Sequence, residues 1–215
     1  MIESVALDLL RGGLITLQIA AGAWVVAVVL GLALAVARDA GGLALGIPLI
    51  GVLTGMRSVP QLVILYVLFF GISSLGLQVD SLVAAILGLG LTEAAFTAEY
   101  YRAGFMTVPW NQRDAGASLG LSRLGVLRHV VIPQATPYVV APLLNSFVGL
   151  LKTATLAAAV GAPEILYRGQ NEMNVTGLIV VVVLMIIGMY AVVTIPLTRA
   201  VASLDRRIRA YAGVG

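Results

Sequence analysis

The chain has no cysteine and a single histidine, His129. These scarcities exclude disulfide frameworks, cysteine-ligated metals, thiol nucleophiles and histidine clusters. Charge is sparse too: 11% of the 215 residues are Asp, Glu, Lys or Arg, and Lys152 is the sole lysine. A soluble domain carries roughly 25% charged residues and about 45–50% apolar ones. Here 60% are hydrophobic and mean hydropathy is +1.03. A globular chain of this size still needs a polar exterior, so lipid is the expected solvent. Lys152 follows Leu150-Leu151 inside an apolar run. It therefore cannot complete the Gly-x-x-x-x-Gly-Lys-Ser/Thr loop that cradles phosphates, and a nucleotide site is not expected in this chain.

What is present is long apolar runs. A helix needs about 20 mainly apolar residues to cross the hydrocarbon. Five segments qualify: 14–37, 47–75, 82–101, 137–160 and 175–197. The expected fold is an all-α integral membrane domain of five transmembrane helices. The acidic start, Met-Ile-Glu-Ser-Val, lacks the basic flank of a cleaved signal peptide. Net charge is +3, which in such a chain points to basic flanks on one side of a bilayer rather than to nucleic acid. Arg38, Arg102, Arg113, Arg123, Arg128, Arg199, Arg206, Arg207 and Arg209, nine of the 13 Lys and Arg, fall on one side; Arg11 and Arg168 fall on the other. The bias predicts an outside N-terminus and a cytoplasmic C-terminus.

Between the third and fourth runs, residues 105–136 form the longest stretch without a span. They read as two short helices, 111–119 and 122–131, separated at Gly120 and closed by Pro133. Gly supplies a turn, and Pro ends a helix. From Asp114 the segment reads Asp-Ala-Gly, three residues, Gly120, nine residues, Val130, one residue, then Ile132-Pro133. This pattern resembles the EAA loop of ABC importer permeases, with Asp114 for the usual Glu and Gly116 for the second Ala. Ala94-Ala95-Phe96-Thr97-Ala98-Glu99 with Arg102 and Gly104 resembles the signature of polar amino-acid permeases of the histidine/glutamine type. Arg57-Ser58-Val59-Pro60, Leu119-Gly120-Leu121-Ser122, Pro133-Gln134-Ala135, Pro142, Asn145, Lys152 and Glu164-Ile165-Leu166 follow the same order. Thr153 stands where the family usually has Asp, and Thr92-Glu93 where Asn and a small or aromatic residue are usual.

The resemblance implies a permease subunit in a bacterial inner membrane that forms a translocation path for polar amino acids. It implies a second permease subunit, identical or not, and an extracytoplasmic amino-acid-binding protein. It also implies a dimer of ABC ATPase subunits, which would bind ATP and Mg. Arg113, Asp114, Ala115, Gly116, Gly120, Leu121 and Ser122 would couple to that ATPase. Two other readings stand beside it. A permease for quaternary amines also carries an EAA loop, but such sites favour aromatic cages, and the last three runs hold few aromatics. A channel or proton-coupled carrier could use Glu93 and Glu99 as a relay, but leaves the loop unexplained.

Ionisable groups inside spans normally face a cavity or a partner. Arg57 lies near mid-depth of the second run, and Pro60 frees the carbonyl of Met56. It either binds a carboxylate or bridges two helices. Glu93 faces a substrate ammonium or pairs with Arg57 or Lys152. Asn145 and Lys152 share a helical face, with Lys152 either binding a carboxylate or snorkelling outward; Thr153 completes the candidate substrate set. Glu99 and Arg102, three residues apart, are expected to form a structural bridge. Gly51-x-x-x-Gly55 is expected to pack helices, and His129 to lie on the coupling surface.

Overall fold

The computed structural model describes residues 2–211; the side chain of Arg209, among the basic residues counted above, lies outside the described set. Among the described residues the chain is helical, without strands. The elements are α1 (Ile2–Ala40), α2 (Gly42–Ser58), α3 (Gln61–Tyr66), α4 (Ile72–Ser74), α5 (Ser81–Thr107), α6 (Trp110–Ser118), α7 (Arg123–Val126), α8 (Ile132–Thr153), α9 (Ile165–Thr176) and α10 (Ile179–Tyr211). Four helical stretches are long and apolar enough to cross a membrane, and α2 with the helical segment after it makes a bent fifth. The described helices outrun the apolar runs because backbone hydrogen bonding continues into water, whereas hydropathy marks only the stretch in lipid.

The α1–α5 pair forms the centre. One face of α1 buries Gly12, Thr16, Ile19, Ala20, Ala23, Ala27, Gly31 and Ala35, a stripe of mostly small residues at helical spacing. Such residues let backbones approach closely, which is how helices associate in lipid. A Cβ on Gly31 would lie 2.0 Å from Thr97 Oγ1, and one on Gly90 2.8 Å from Val26. Thr97 Oγ1 then donates to Ala27 O across the seam at 2.7 Å. Gly22 meets Ile86, Val26 meets Gly90 and Gly31 meets Thr97, so the two helices run parallel. The α8 helix runs the other way. Trp24 Nε1 donates to Leu143 O at 2.8 Å, while Leu151 lies level with Thr16 on the wall of one cavity.

Three expectations are corrected here. The second run is not one straight span. It breaks at Val59-Pro60, where the axis turns by 97°. Val59 is extended, at φ −88° and ψ 132°, the conformation imposed on a residue before proline. Pro60 opens the next helix rather than kinking the first. Pro133, by contrast, closes nothing: the chain stays helical from Arg123 to Val160. A π turn at Leu127–Val131 leads into Pro133 in the first turn of α8, where a missing N–H is tolerated. Finally, Gly51 and Gly55 pack against nothing among the described residues, since a Cβ at either has open space around it.

Candidate functional site

Polar groups gather at two depths in the spans and at the α6 segment. One cluster in the spans centres on Glu99. Its Oε1 receives Arg38 Nη1 at 2.7 Å and Arg57 Nη2 at 3.5 Å, and its Oε2 receives Arg102 Nε at 2.6 Å. One carboxylate thus ties α1, α2 and α5 together beside the break at Pro60. The Glu99–Arg102 contact is the one expected from their spacing. Arg57 reaches Glu99, not Glu93, and its Nε donates to Leu53 O at 3.2 Å within α2. It stands at the end of a helix, next to the break, rather than inside a continuous span.

Glu93 is half-buried at the middle of α5. Among the described residues no ion pair reaches it, so the alternative of a Glu93 bridge to Arg57 or Lys152 is not what forms. Asn145 and Lys152 are exposed, two turns apart on one side of α8. Lys152 borders a cavity of about 290 Å3 with Val148, Thr194, Ile195, Thr198 and Arg199. Arg199, counted above as following the last span, therefore lies inside α10. Thr153 Oγ1 donates within its own helix, toward Gly149 O at 3.3 Å and Leu150 O at 3.4 Å.

Levels along α1 decide which of these groups can share a ligand. Glu93 lies between the Gly90–Val26 and Thr97–Gly31 contacts, whereas Lys152 follows Leu151, level with Thr16. The two are about a dozen helical residues apart in depth, roughly 18 Å at ~1.5 Å per residue. An amino acid's ammonium and α-carboxylate leave the same carbon, so Lys152 and Glu93 cannot hold both at once. Arg57 is nearer: its partner Glu99 is less than two turns from Glu93.

The α6 segment is built as a helical hairpin. Gly120 sits at φ +81°, a backbone geometry costly for any residue with a Cβ, and its N–H donates to Ala117 O at 2.9 Å. Ser122 caps α7 by accepting from Gly125 N at 3.2 Å. Gly116 is buried, with Val126 Cγ2 3.2 Å and Val130 Cγ2 3.3 Å from where its Cβ would be. Asp114, Ala115, Leu121 and Ser122 are exposed, as are the large apolar groups Trp110 (71%) and Leu119 (83%). Asp114 borders a cavity of about 450 Å3 with Asp39, Trp110, Arg113, Ala117, Leu121, Arg123 and Val126. Arg113 differs from its neighbours in turning inward. Its Nη1 contacts Asp39 at 3.1 and 3.3 Å, and its Nη2 donates to Phe105 O at 2.8 Å. His129 Nδ1 lies 3.0 Å from Gly125 O.

Two further groups escaped the sequence reading. Arg38 and Asp39 stand out only as charges ending an apolar run, with nothing to indicate their partners. Glu164, seen as part of a motif, is fully buried. It caps α9 by accepting from Tyr167 N at 2.7 Å and from Thr16 Oγ1 at 3.4 Å, and burial pushes its carboxyl pKa up. No group of three or more His, Asp or Glu that could hold a metal exists among the described residues.

Known proteins are similar to this chain in sequence and in architecture. A protein of Bacillus subtilis named a probable glutamine ABC transporter permease, GlnM, is 31% identical over 153 residues, 71% of each chain. A second from that organism, the probable amino-acid ABC transporter permease YckA, is 37% identical over 115 residues, 54% of this chain and 51% of its own. The fold matches a solved amino acid ABC transporter with histidines at TM-score 0.84 and 24% identity, covering 93% of this chain and 94% of that one. Residues 27–210 match the family described as the binding-protein-dependent transport system inner membrane component, and the chain belongs to that family of multi-pass membrane transport subunits.

Proposed function

We propose that this chain is the permease subunit of an ATP-driven importer of polar amino acids, working in a bacterial inner membrane with its N-terminus outside and its C-terminus in the cytoplasm. A second permease subunit completes the translocation path, an extracytoplasmic binding protein delivers the substrate, and a dimer of ABC ATPases docks on α6 and α7. ATP and Mg belong to that dimer. The observation that carries the reading is the α6 hairpin. It turns at a left-handed Gly120 between α6 and α7, and it exposes Trp110 and Leu119 around Asp114. Exposed apolar groups rimmed by polar ones suit docking to another protein. Relatives carrying amino-acid permease names support the substrate class.

Within the path, Arg57 takes the substrate α-carboxylate and Glu93 the ammonium, whereas Asn145, two residues past the Trp24–Leu143 contact and so nearer the outer face, meets the substrate before them. Lys152 and Thr153, nearer the outer face, meet the substrate at an earlier stage. Burying both ends of a zwitterion is costly unless each is paired, and these groups supply one charge of each sign at neighbouring depths. Asp114 and the exposed Ala115, Leu121 and Ser122 face the ATPase, while Gly116 and Gly120 shape the hairpin. Co-purification with the ATPase tests this assignment: Asp114→Arg should lose the ATPase while the permease still inserts. Undiminished capture would remove α6 from the docking surface.

A further inference from the structure

We infer that Arg38 and Asp39 form a joint through which the α6 hairpin holds the broken second span, with Asp39 as the positioning residue. The inference rests on the proposed function, since the joint has work to do only when a partner moves α6. Successive residues of an α-helix point about 100° apart. The end of α1 can therefore grip two different neighbours with two adjacent side chains. Asp39 holds Arg113 on α6 at 3.1 Å, and Arg38 holds Glu99 on α5 at 2.7 Å. Glu99 in turn holds Arg57, beside the 97° break between α2 and α3. Ionic contacts joined through the Arg38–Asp39 backbone thus run from the hairpin, by way of the end of α1, to the residue proposed to meet substrate.

Two features make the Arg113 end a joint rather than a loose surface bridge. Its side chain is only 17% exposed and that of Asp39 28%. Arg113 Nη2 also donates to Phe105 O, one of the terminal carbonyls of α5 that the helix itself leaves unpaired. A cation at that position is further favoured by the helix dipole. Behind the pair, Ala35, Phe105, Val126, Leu127 and Val131 pack as one apolar cluster. Apolar packing resists separation but is indifferent to direction, whereas guanidinium–carboxylate contacts fix orientation. Displacing α6 should therefore carry the ends of α1 and α5 with it, and through Glu99 shift Arg57. Arg113, expected to face the ATPase, instead acts inside the chain.

The test is the amount of amino acid delivered per ATP hydrolysed, measured in proteoliposomes holding the complete complex. Asp39→Asn keeps the shape and removes the charge; delivery per ATP should fall about fivefold or more, the scale of an ordinary coupling energy. Arg113→Gln should repeat the loss from the other side, and Asp39→Glu, which keeps the anion, should remain near wild type. An unchanged ratio in both neutralised variants, with only yield or thermal stability lowered, would overturn the joint and leave the transport function standing. A wild-type complex with no ATP-driven delivery would overturn the function and the joint with it.

Discussion

Glu93 is an ionisable side chain at mid-depth with no counter-charge among the described residues, and such a group normally marks a substrate path. Glu93→Gln should lower amino-acid uptake about 10-fold, the worth of one charge-assisted hydrogen bond at ~1.5 kcal/mol. A cationic amino acid should suffer more than a neutral one, having an extra charge to pair. Because no ion pair of Glu93 is broken, thermal stability should be unchanged. Measured on one preparation, a stable variant with normal uptake would remove Glu93 from the path. At this scale the sequence was legible where spacing along a single helix sets the contact, as for Glu99 with Arg102. It was mute where the partner comes from another helix. Arg38, Arg57 and Asp39 are each plain in the sequence, but which carboxylate or guanidinium meets them depends on how α1, α2, α5 and α6 pack.

Four of the five apolar runs fall in helices long and apolar enough to cross a membrane, and the second falls in a pair bent by 97°; helix is the expected form because lipid forces backbone polar groups to pair internally. Two prolines show what composition leaves open. Pro60 ends one helix and starts another, whereas Pro133 enters a continuous one after a π turn. The difference lies in position: Pro133 falls in the first turn of α8 with helix already formed behind it, and Val59 has gone extended before Pro60. Gly120 makes the turn its residue type predicts, since a left-handed backbone favours glycine whatever packs around it. Gly120→Val should strain the hairpin by about 1–3 kcal/mol and misplace α6 against its partner. Insertion should be normal, as the change lies outside the spans, while ATP hydrolysis in the assembled complex loses its stimulation by substrate-loaded binding protein. Normal stimulation in this variant would mean that the hairpin's shape is not what the ATPase reads.

On the proposed function, the molecule viewed whole is one half of a translocation path. Asn145, Lys152, Gly51 and Gly55 lie open on its surface, where a second permease subunit would complete the path. The absence of cysteine makes its orientation directly measurable. Single cysteines at Ser4 and Asn171 should react with an impermeant thiol reagent from outside intact cells, and those at Ser122 and Ser203 only after the membrane is opened. Labelling of Ser122→Cys from outside would reverse the topology and detach α6 from any cytoplasmic partner. The measurement that bears most directly on the central claim is uptake of labelled amino acid into proteoliposomes, with and without the ATPase. With the ATPase, binding protein and ATP all supplied, uptake should proceed and should stop when hydrolysis is blocked. The same uptake by the permease alone, without ATPase or ATP, would contradict the account.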